Sequence, residues 1–595
     1  MGGIAMNAIL TNHIGYDSQD TKSAVYVRRK GETPLSFAVV NDKTDETVFT
    51  GVPCAVGEVD RWNTGFYYTM RFDEVTEKGQ YYIAVTDDMG EVVRSYPFKI
   101  AENLLEVSTL TMVGYSFKAQ RATGEYEAAD RNIPFQYGLI PGRIDAHGGW
   151  YDATADYGVH LSHLSHTTYF NPQQAAFSAY AFFRMYDLID QAEYPYYTMF
   201  KRRLLEEGMY GADWLMRMRA PSGGFYVTKR RNMDAYGPVS KMRIMGAYAR
   251  DPKRRKGGST FSDPSDFLLE DFEASFRAGA GYAIATLAAA ARTTYPSEHT
   301  HEEFIKAAVS AYEYLEENNT RYCNDGKWNL LDEYCALNAL IEIYKTTQEF
   351  DYLRRARRMA ERIIARYVPM GDDMGYLAVN DEKRPFFHAA DAGMPIVNLL
   401  YYCEVERQQA DKQKVLDICE KLMRFQLHVT DKVNNPFGYA RQYVQHKDGS
   451  CDDQFFYPHD AETAPWWQGE NARLGSLACA ARAMSYQTGD DAFKAALCKF
   501  ADDQINWILG CNPFDACMME GEGRNHIDYF FEGERRDFIQ CPGGIVNGIT
   551  GGIDDDHGIA FCYDRDEKVD DNWRWAEQWL PHATWYMYAL SMKKR

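Results

Sequence analysis

The first residues, MGGIAMNAILTNHIGYD, lack a basic cluster followed by an apolar stretch. No secretory signal is expected from them, and a cytoplasmic enzyme is the default expectation. Nor is there an apolar run long enough to cross a bilayer. The longest, Ala278–Ala291, is closed by Arg277 and Arg292 and predicts a buried helix. The 12 cysteines form no CxxC pair, and the nearest two, Cys511 and Cys517, have no ligand pattern around them. Reduced core cysteines are therefore expected rather than a disulfide framework. No extended basic tract offsets the formal net charge of −20. Nucleic acid and anionic membranes would be repelled, which disfavours both as partners. A fixed-period repeat is also missing, so a solenoid of homologous units is not supported.

What the chain does have is length and aromatic content. Its 595 residues exceed what one core supports, so two or more domains are expected. Aromatics make up 14% of the sequence. Beyond filling cores, such side chains suit a sugar cleft, because sugar rings offer flat C–H faces to aromatic planes.

The first hundred residues read as β structure. Ala24–Val27, Leu35–Val40, Thr47–Thr50, Phe66–Phe72, Tyr81–Val85 and Val92–Ile100 are β-branched, aromatic or alternating. Turn clusters such as Asn41-Asp42-Lys43 separate them, and about seven strands at this spacing suggest an immunoglobulin-like sandwich over residues 1–103. From about residue 105 the period becomes helical, with stretches near 105–121, 174–190, 200–219, 270–293, 301–319, 331–346, 349–367, 390–405, 411–427, 468–487, 491–510 and 575–592. Almost no strand signal lies between them. Residues 104–595 thus fit an all-α (α/α)6 barrel, with an irregular helical bundle as the alternative. The long connections 133–156, 221–266 and 430–467 are of a length that is usually functional.

Two segments carry candidate chemistry. In His147-Gly-Gly-Trp-Tyr-Asp-Ala-Thr-Ala-Asp-Tyr-Gly158, two carboxylates four residues apart sit in a Gly- and aromatic-rich loop. Such a pair can hold a water, one as general base and one as positioner; capping and turn carboxylates are the competing reading. In Asn572-Trp-Arg-Trp-Ala-Glu577-Gln-Trp-Leu-Pro-His-Ala583, a Glu enters the last helix beside Trp573, Trp575 and Trp579. Desolvation by those rings would keep a general acid protonated; an exposed helix-start Glu is the bland alternative.

These motifs resemble those of glycoside hydrolase family 9. The first is similar to the family's GGWYDAGDYGKY segment, with Asp-Ala-Thr-Ala-Asp replacing Asp-Ala-Gly-Asp. That extra residue, with Leu161–Ser165 and Asn171–Gln174, resembles an exo-acting branch of β-glucosidases and exo-β-glucosaminidases. Blocks at Phe386–Gly393, Trp466–Arg473, Trp507–Pro513 and Gly521–Asn525 match in family order, and the β region resembles the immunoglobulin-like domain that precedes such barrels. The resemblance implies Asp156 as base, Asp152 as its partner and Glu577 as acid of an inverting hydrolase, although Ala576 stands where the family has Asn. It implies no redox or nucleotide cofactor and a soluble β-1,4-linked oligosaccharide as substrate. Exo-β-D-glucosaminidase, endoglucanase and a non-hydrolytic sugar-binding protein are alternatives; a helical-toroid lyase would rely on Tyr and His instead.

Trp150, Tyr151, His388, Trp466, Trp467, Glu470, Arg473 and Asn512 are candidate sugar contacts. Core packing competes for each Trp, and an ion pair competes for Glu470 and Arg473. No metal is expected at the site. His160, His163 and His166 on a regular helix would place the first and third about 240° apart. Asp554–Asp556 reads as a solvated turn, with structural Ca²⁺ as the alternative.

Overall fold

The computed structural model describes residues 7–28, 33–88, 90–154, 156–163, 170–192, 197–232, 237–248, 264–461, 467–531, 534–535, 540–562 and 571–593. Compactness groups the chain into two units, Met1–Ser116 with Met423–Lys593, and Phe117–Leu422.

Among the described residues the first unit begins with ten strands: β1 (Ala8–Leu10), β2 (Gly15–Asp17), β3 (Ser23–Arg28), β4 (Pro34–Asn41), β5 (Thr47–Gly51), β6 (Cys54–Gly57), β7 (Phe66–Arg71), β8 (Gly79–Asp87), β9 (Val92–Arg94) and β10 (Phe98–Ala101). One sheet has the order β1-β3-β7-β6; the other runs β2-β10-β8-β4-β5, with β9 also on β8. Alternation along the strands turns Ala24, Tyr26, Tyr68 and Met70 of one sheet toward Phe37, Val39, Ile83, Phe98 and Ile100 of the other, forming one core. The Asn41-Asp42-Lys43 cluster forms its turn by side-chain capping: Asn41 Oδ1 accepts from the N–H groups of Lys43 and Thr44. Sequence patterning misses β1, β2 and β6, which are short, and merges β9 with β10 across Ser95–Pro97.

The same unit contains the helices Asn471–Ser485, Asp491–Ile508 and Leu580–Ser591, with the first and last buried along their whole length. Asp490 starts the second by accepting from the Ala492 and Phe493 amides. Trp62, in the loop before β7, is 3% exposed and packs on Phe437, Phe455, Phe456 and Trp507.

The second unit is helix-rich. It holds Ala175–Gln191, Thr198–Arg217, Gly281–Ala290, His301–Asn318, Leu330–Thr347, Phe350–Ile364 and Met394–Val405. Capping boxes at Thr300/Glu303 and Asn329/Asp332 begin two of them, each satisfying helix-start amides that have no intrahelical partner. The helix expected at 270–293 is shorter than its apolar pattern. Phe276–Ala280 forms a wide turn with Gly279 at φ 106°, where a Cβ would strike the Leu161 backbone.

The expectation of almost no strand between helices is corrected. Val159–His160, Thr228–Arg231 and Arg243–Gly246 form a three-stranded antiparallel sheet. The charged run Thr228-Lys-Arg-Arg231 carries no strand pattern, because Lys229 is drawn to the buried Asp130 carboxylate and Arg230 to Gln136 Oε1 rather than to water. No described helix is long and apolar enough to cross a membrane.

Candidate active site

In the second unit, the loop His147–Gly158 folds around two glycines with positive φ, Gly148 and Gly149. A Cβ on Gly149 would lie 2.6 Å from Val159 and 3.0 Å from Trp214. The loop must therefore pass close to the helix Thr198–Arg217, which seats Trp150 in the core. Trp150 is fully buried, its indole N–H donates to Glu207 Oε2 at 3.0 Å, and Arg121 completes that carboxylate at 2.7 Å. This corrects its candidacy as a sugar contact: no ring face is open. Tyr151 is half-buried, edge-on to both Tyr126 and Tyr157, and those two stack at 4.6 Å.

The loop separates its two carboxylates by environment. Asp152 is 2% exposed; its Oδ2 accepts from Gln174 Nε2 at 3.1 Å and its backbone N–H donates to Gly158. Asp156 is exposed, and its Oδ1 accepts from the Gly158 N–H at 2.7 Å. His160 lies on a strand, not a helix, so the helical geometry that ruled out its participation does not apply. Its Nε2 is 3.7 Å from Asp152 Oδ1, and its Nδ1 meets Thr228 Oγ1 at 2.6 Å and Tyr248 Oη at 2.5 Å. Burial pushes its pKa down to about 3, so the imidazole is neutral beside the carboxylates.

Asp152, Asp156 and His160 bring ligand-capable atoms within 4.8 Å of one another. That set fits a metal ion where none was expected, and it equally fits a bound water. His163 is described but lies outside this set, and His166 falls outside the described residues.

Gln174 was not singled out by sequence reasoning, although it lies in the Asn171–Gln174 segment that carried part of the resemblance. Its neighbour Gln173 donates its backbone N–H to Asp391 at 2.9 Å, tying this segment to the Phe386–Gly393 block. His388 of that block is fully buried, and its Nδ1 accepts from the Ala390 and Asp391 amides at 3.0 and 2.8 Å. Burial holds it neutral, with a pKa of about 3. Its observed role is to shape the turn.

In the first unit, Glu577 sits half-buried between the short turn Trp573–Ala576 and the helix Leu580–Ser591. Its backbone is fixed from Asn547, whose N–H donates to Glu577 O at 2.8 Å and whose side-chain amide donates to Trp573 O at 2.7 Å. His582 Nε2 meets Asn547 Oδ1 at 2.8 Å, so the last helix braces the same asparagine. Trp575 and Trp579 are buried and Trp573 partly so.

The other candidates of this unit prove internally engaged. Glu470 and Arg473 are both fully buried and pair at 3.1 Å, and Tyr439 and Gln442 also donate to Glu470. Burial raises the Glu470 pKa against the pull of Arg473. The ion-pair reading thus describes this pair, and sugar contact is corrected. Asn512 is likewise corrected: it is buried and caps a turn through the carbonyls of Trp507 and Ala516. Trp467 stacks on His459 at 3.8 Å, with the Arg574 guanidinium 4.1 Å from its ring. Trp466 lies outside the described residues. Of the candidate Ca²⁺ turn, Asp556 pairs with His459 at 2.6 Å and Asp555 with Arg61 at 3.3 Å.

A family model described as a cellulase N-terminal ig-like domain matches residues 5–89, and one described as glycosyl hydrolase family 9 matches residues 109–532. The second match includes Asp152 and Asp156 and ends before Glu577. Among similar solved structures is one titled Bacteroides ovatus GH9, with 18% identity, TM-score 0.66, and coverage of 99% of this chain and 100% of that one. Another is a GH family 9 endoglucanase, J30, with 18% identity, TM-score 0.67, and coverage of 98% and 100%. A metagenome-derived glycoside hydrolase family 9 endoglucanase has 16% identity, TM-score 0.65, and coverage of 99% of both chains. At these identities the likeness is one of fold. No curated protein matched the chain in sequence.

Proposed function

The chain belongs to glycosyl hydrolase family 9, and on that premise we propose that it cleaves short β-1,4-linked gluco-oligosaccharides with inversion. The observation that carries this reading is the contrast within one loop between exposed Asp156 and buried Asp152. A base must reach water and substrate; its partner must be held. Asp156 takes a proton from the water while the water oxygen bonds to the anomeric carbon. Glu577 gives its proton to the glycosidic oxygen as the C–O bond breaks. The product has inverted configuration, Asp156 ends protonated and Glu577 ionised. Such a pair of carboxyl groups works at a separation of about 6.5–9.5 Å, which leaves room for the water.

The N-terminal sandwich leading into a helix-rich region supports an immunoglobulin-like domain over residues 1–103. Helices close to the expected spans support an (α/α)6 barrel over 104–595. For the sugar, Glu470 is taken up by Arg473 and does not supply the anion that a glucosaminyl ammonium would need, so a glucosyl unit is the reading kept. The five-residue Asp152–Asp156 segment supports an exo mode, whereas the endoglucanase titles of the similar structures support an endo mode. Cellobiose, chitosan disaccharide and carboxymethylcellulose, followed by NMR of the first-formed anomer, test all three points. Retention at the anomeric carbon would overturn the mechanism, and rapid loss of carboxymethylcellulose viscosity would favour endo action.

A further inference from the structure

Asp130, Lys229 and Arg243 are each fully buried. Lys229 Nζ donates to Asp130 Oδ2 at 2.6 Å; Arg243 donates to Oδ1 at 2.7 Å and to Oδ2 at 3.0 Å. The bidentate arginine alone would neutralise this carboxylate. A second buried cation is therefore surplus to charge balance and costs desolvation free energy. Burial first, and then repulsion from Arg243, depress the Lys229 pKa to about 8 against the pull of Asp130.

The surplus has a geometric return. Lys229 also donates to Gly148 O at 2.6 Å, and Arg243 Nη1 donates to Tyr157 O at 2.5 Å. Those two carbonyls bracket the segment that carries Asp152 and Asp156. The strand register explains the convergence. Lys229 pairs with Met245, and Arg243 is two residues from Met245, so Lys229 and Arg243 share one face of the sheet. Thr228 pairs with His160 and shares the opposite face with it. One face thus anchors the ends of the loop, and the other presents His160 to the carboxylates.

We propose that Lys229 and Arg243, joined through Asp130, are positioning residues that clamp both ends of the base loop and set Asp156 for water activation. The catalytic part of this proposal rests on the hydrolase reading above. The clamp itself is independent of the substrate and has its own readout in backbone exchange.

The experiment compares Lys229→Met, Lys229→Arg and Arg243→Lys with wild type. Lys229→Met keeps the Asp130–Arg243 pair and relieves an excess charge, so its Tm stays within about 4 °C of wild type. Its kcat on the best oligosaccharide falls about 10–100-fold with KM nearly unchanged, as loss of orientation without loss of binding requires. Amide hydrogen exchange over residues 148–158 accelerates. Lys229→Arg, which restores a buried cation and donor, recovers part of the loss. Arg243→Lys keeps the charge but cannot hold both Asp130 and Tyr157 O, so kcat falls and exchange near 157 rises. Unchanged loop exchange in both Lys229→Met and Arg243→Lys would overturn the clamp, as would faster exchange with kcat within twofold of wild type. Should wild type fail to hydrolyse β-glucosides, the exchange data still decide whether the clamp exists, and the failure belongs to the substrate reading.

Discussion

Asp156 accepts a hydrogen bond from the Gly158 N–H at 2.7 Å, and a Cβ on Gly158 would lie 3.1 Å from that same carboxylate oxygen and 2.2 Å from His160 Nε2. Two residues after Asp156, the backbone both orients the carboxylate and leaves room for the imidazole. No other residue type leaves that space empty.

Gly158→Ala should therefore displace His160 and turn the Asp156 carboxylate. The expected outcome is a kcat loss of about 10–100-fold, from misorientation at the reacting groups. Steady-state kinetics alongside a thermal melt check it; activity close to wild type would show that the site tolerates a shifted His160.

Asp156→Asn and Glu577→Gln should each lower kcat on an unactivated oligosaccharide by about 10²–10⁴-fold. Their responses to leaving group should differ. An activated aryl glycoside needs little protonation, so Glu577→Gln should recover much of its rate there and Asp156→Asn should not. Equal losses on both substrates would argue against the assignment of acid and base.

Arg473→Met leaves Glu470 buried without its cation, and a destabilisation of about 3–5 kcal/mol is expected. The double variant Glu470→Gln/Arg473→Met removes both charges and should regain at least half of that loss. Denaturant melts of the three proteins measure it.

His446 lies between Asp460, 2.5 Å from Nδ1, and Asp452, 2.9 Å from Nε2. Burial opposes its charge, but the hydrogen bonds to Asp460 and Asp452 outweigh burial and raise its pKa above 6.5. A raised histidine stabilises fully below its unfolded value of 6.5, and that stabilisation disappears as pH rises through the folded value. The Tm advantage of wild type over His446→Gln should shrink above about pH 6.5. A difference that is constant from about pH 5 to pH 9 would refute the linkage.

Legibility followed the physics of each signal. The apolar periodicity that predicted helices at 301–319, 331–346 and 491–510 produced His301–Asn318, Leu330–Thr347 and Asp491–Ile508, because apolar burial and local capping act on the same residues. Asp152 and Asp156 were visible as a motif, since glycines and aromatics surround them in the chain itself. Lys229, Arg243, Gln174 and Tyr248 were not. Each meets its partner at long sequence separation, as Lys229 does at Asp130, and no local pattern encodes that encounter.

The sequence by itself determined the order of a β region and a helical region, two motifs whose carboxylates are the proposed acid and base, and a formal net charge of −20. These follow from composition and short-range pattern. Only the tertiary structure decided that Trp150, Glu470, Arg473 and Asn512 are turned inward, that His160 is a strand residue facing Asp152, and that Asp156 is the exposed member of its pair. Burial and hydrogen bonding are properties of what surrounds a side chain, and those surroundings come from segments far away in the chain.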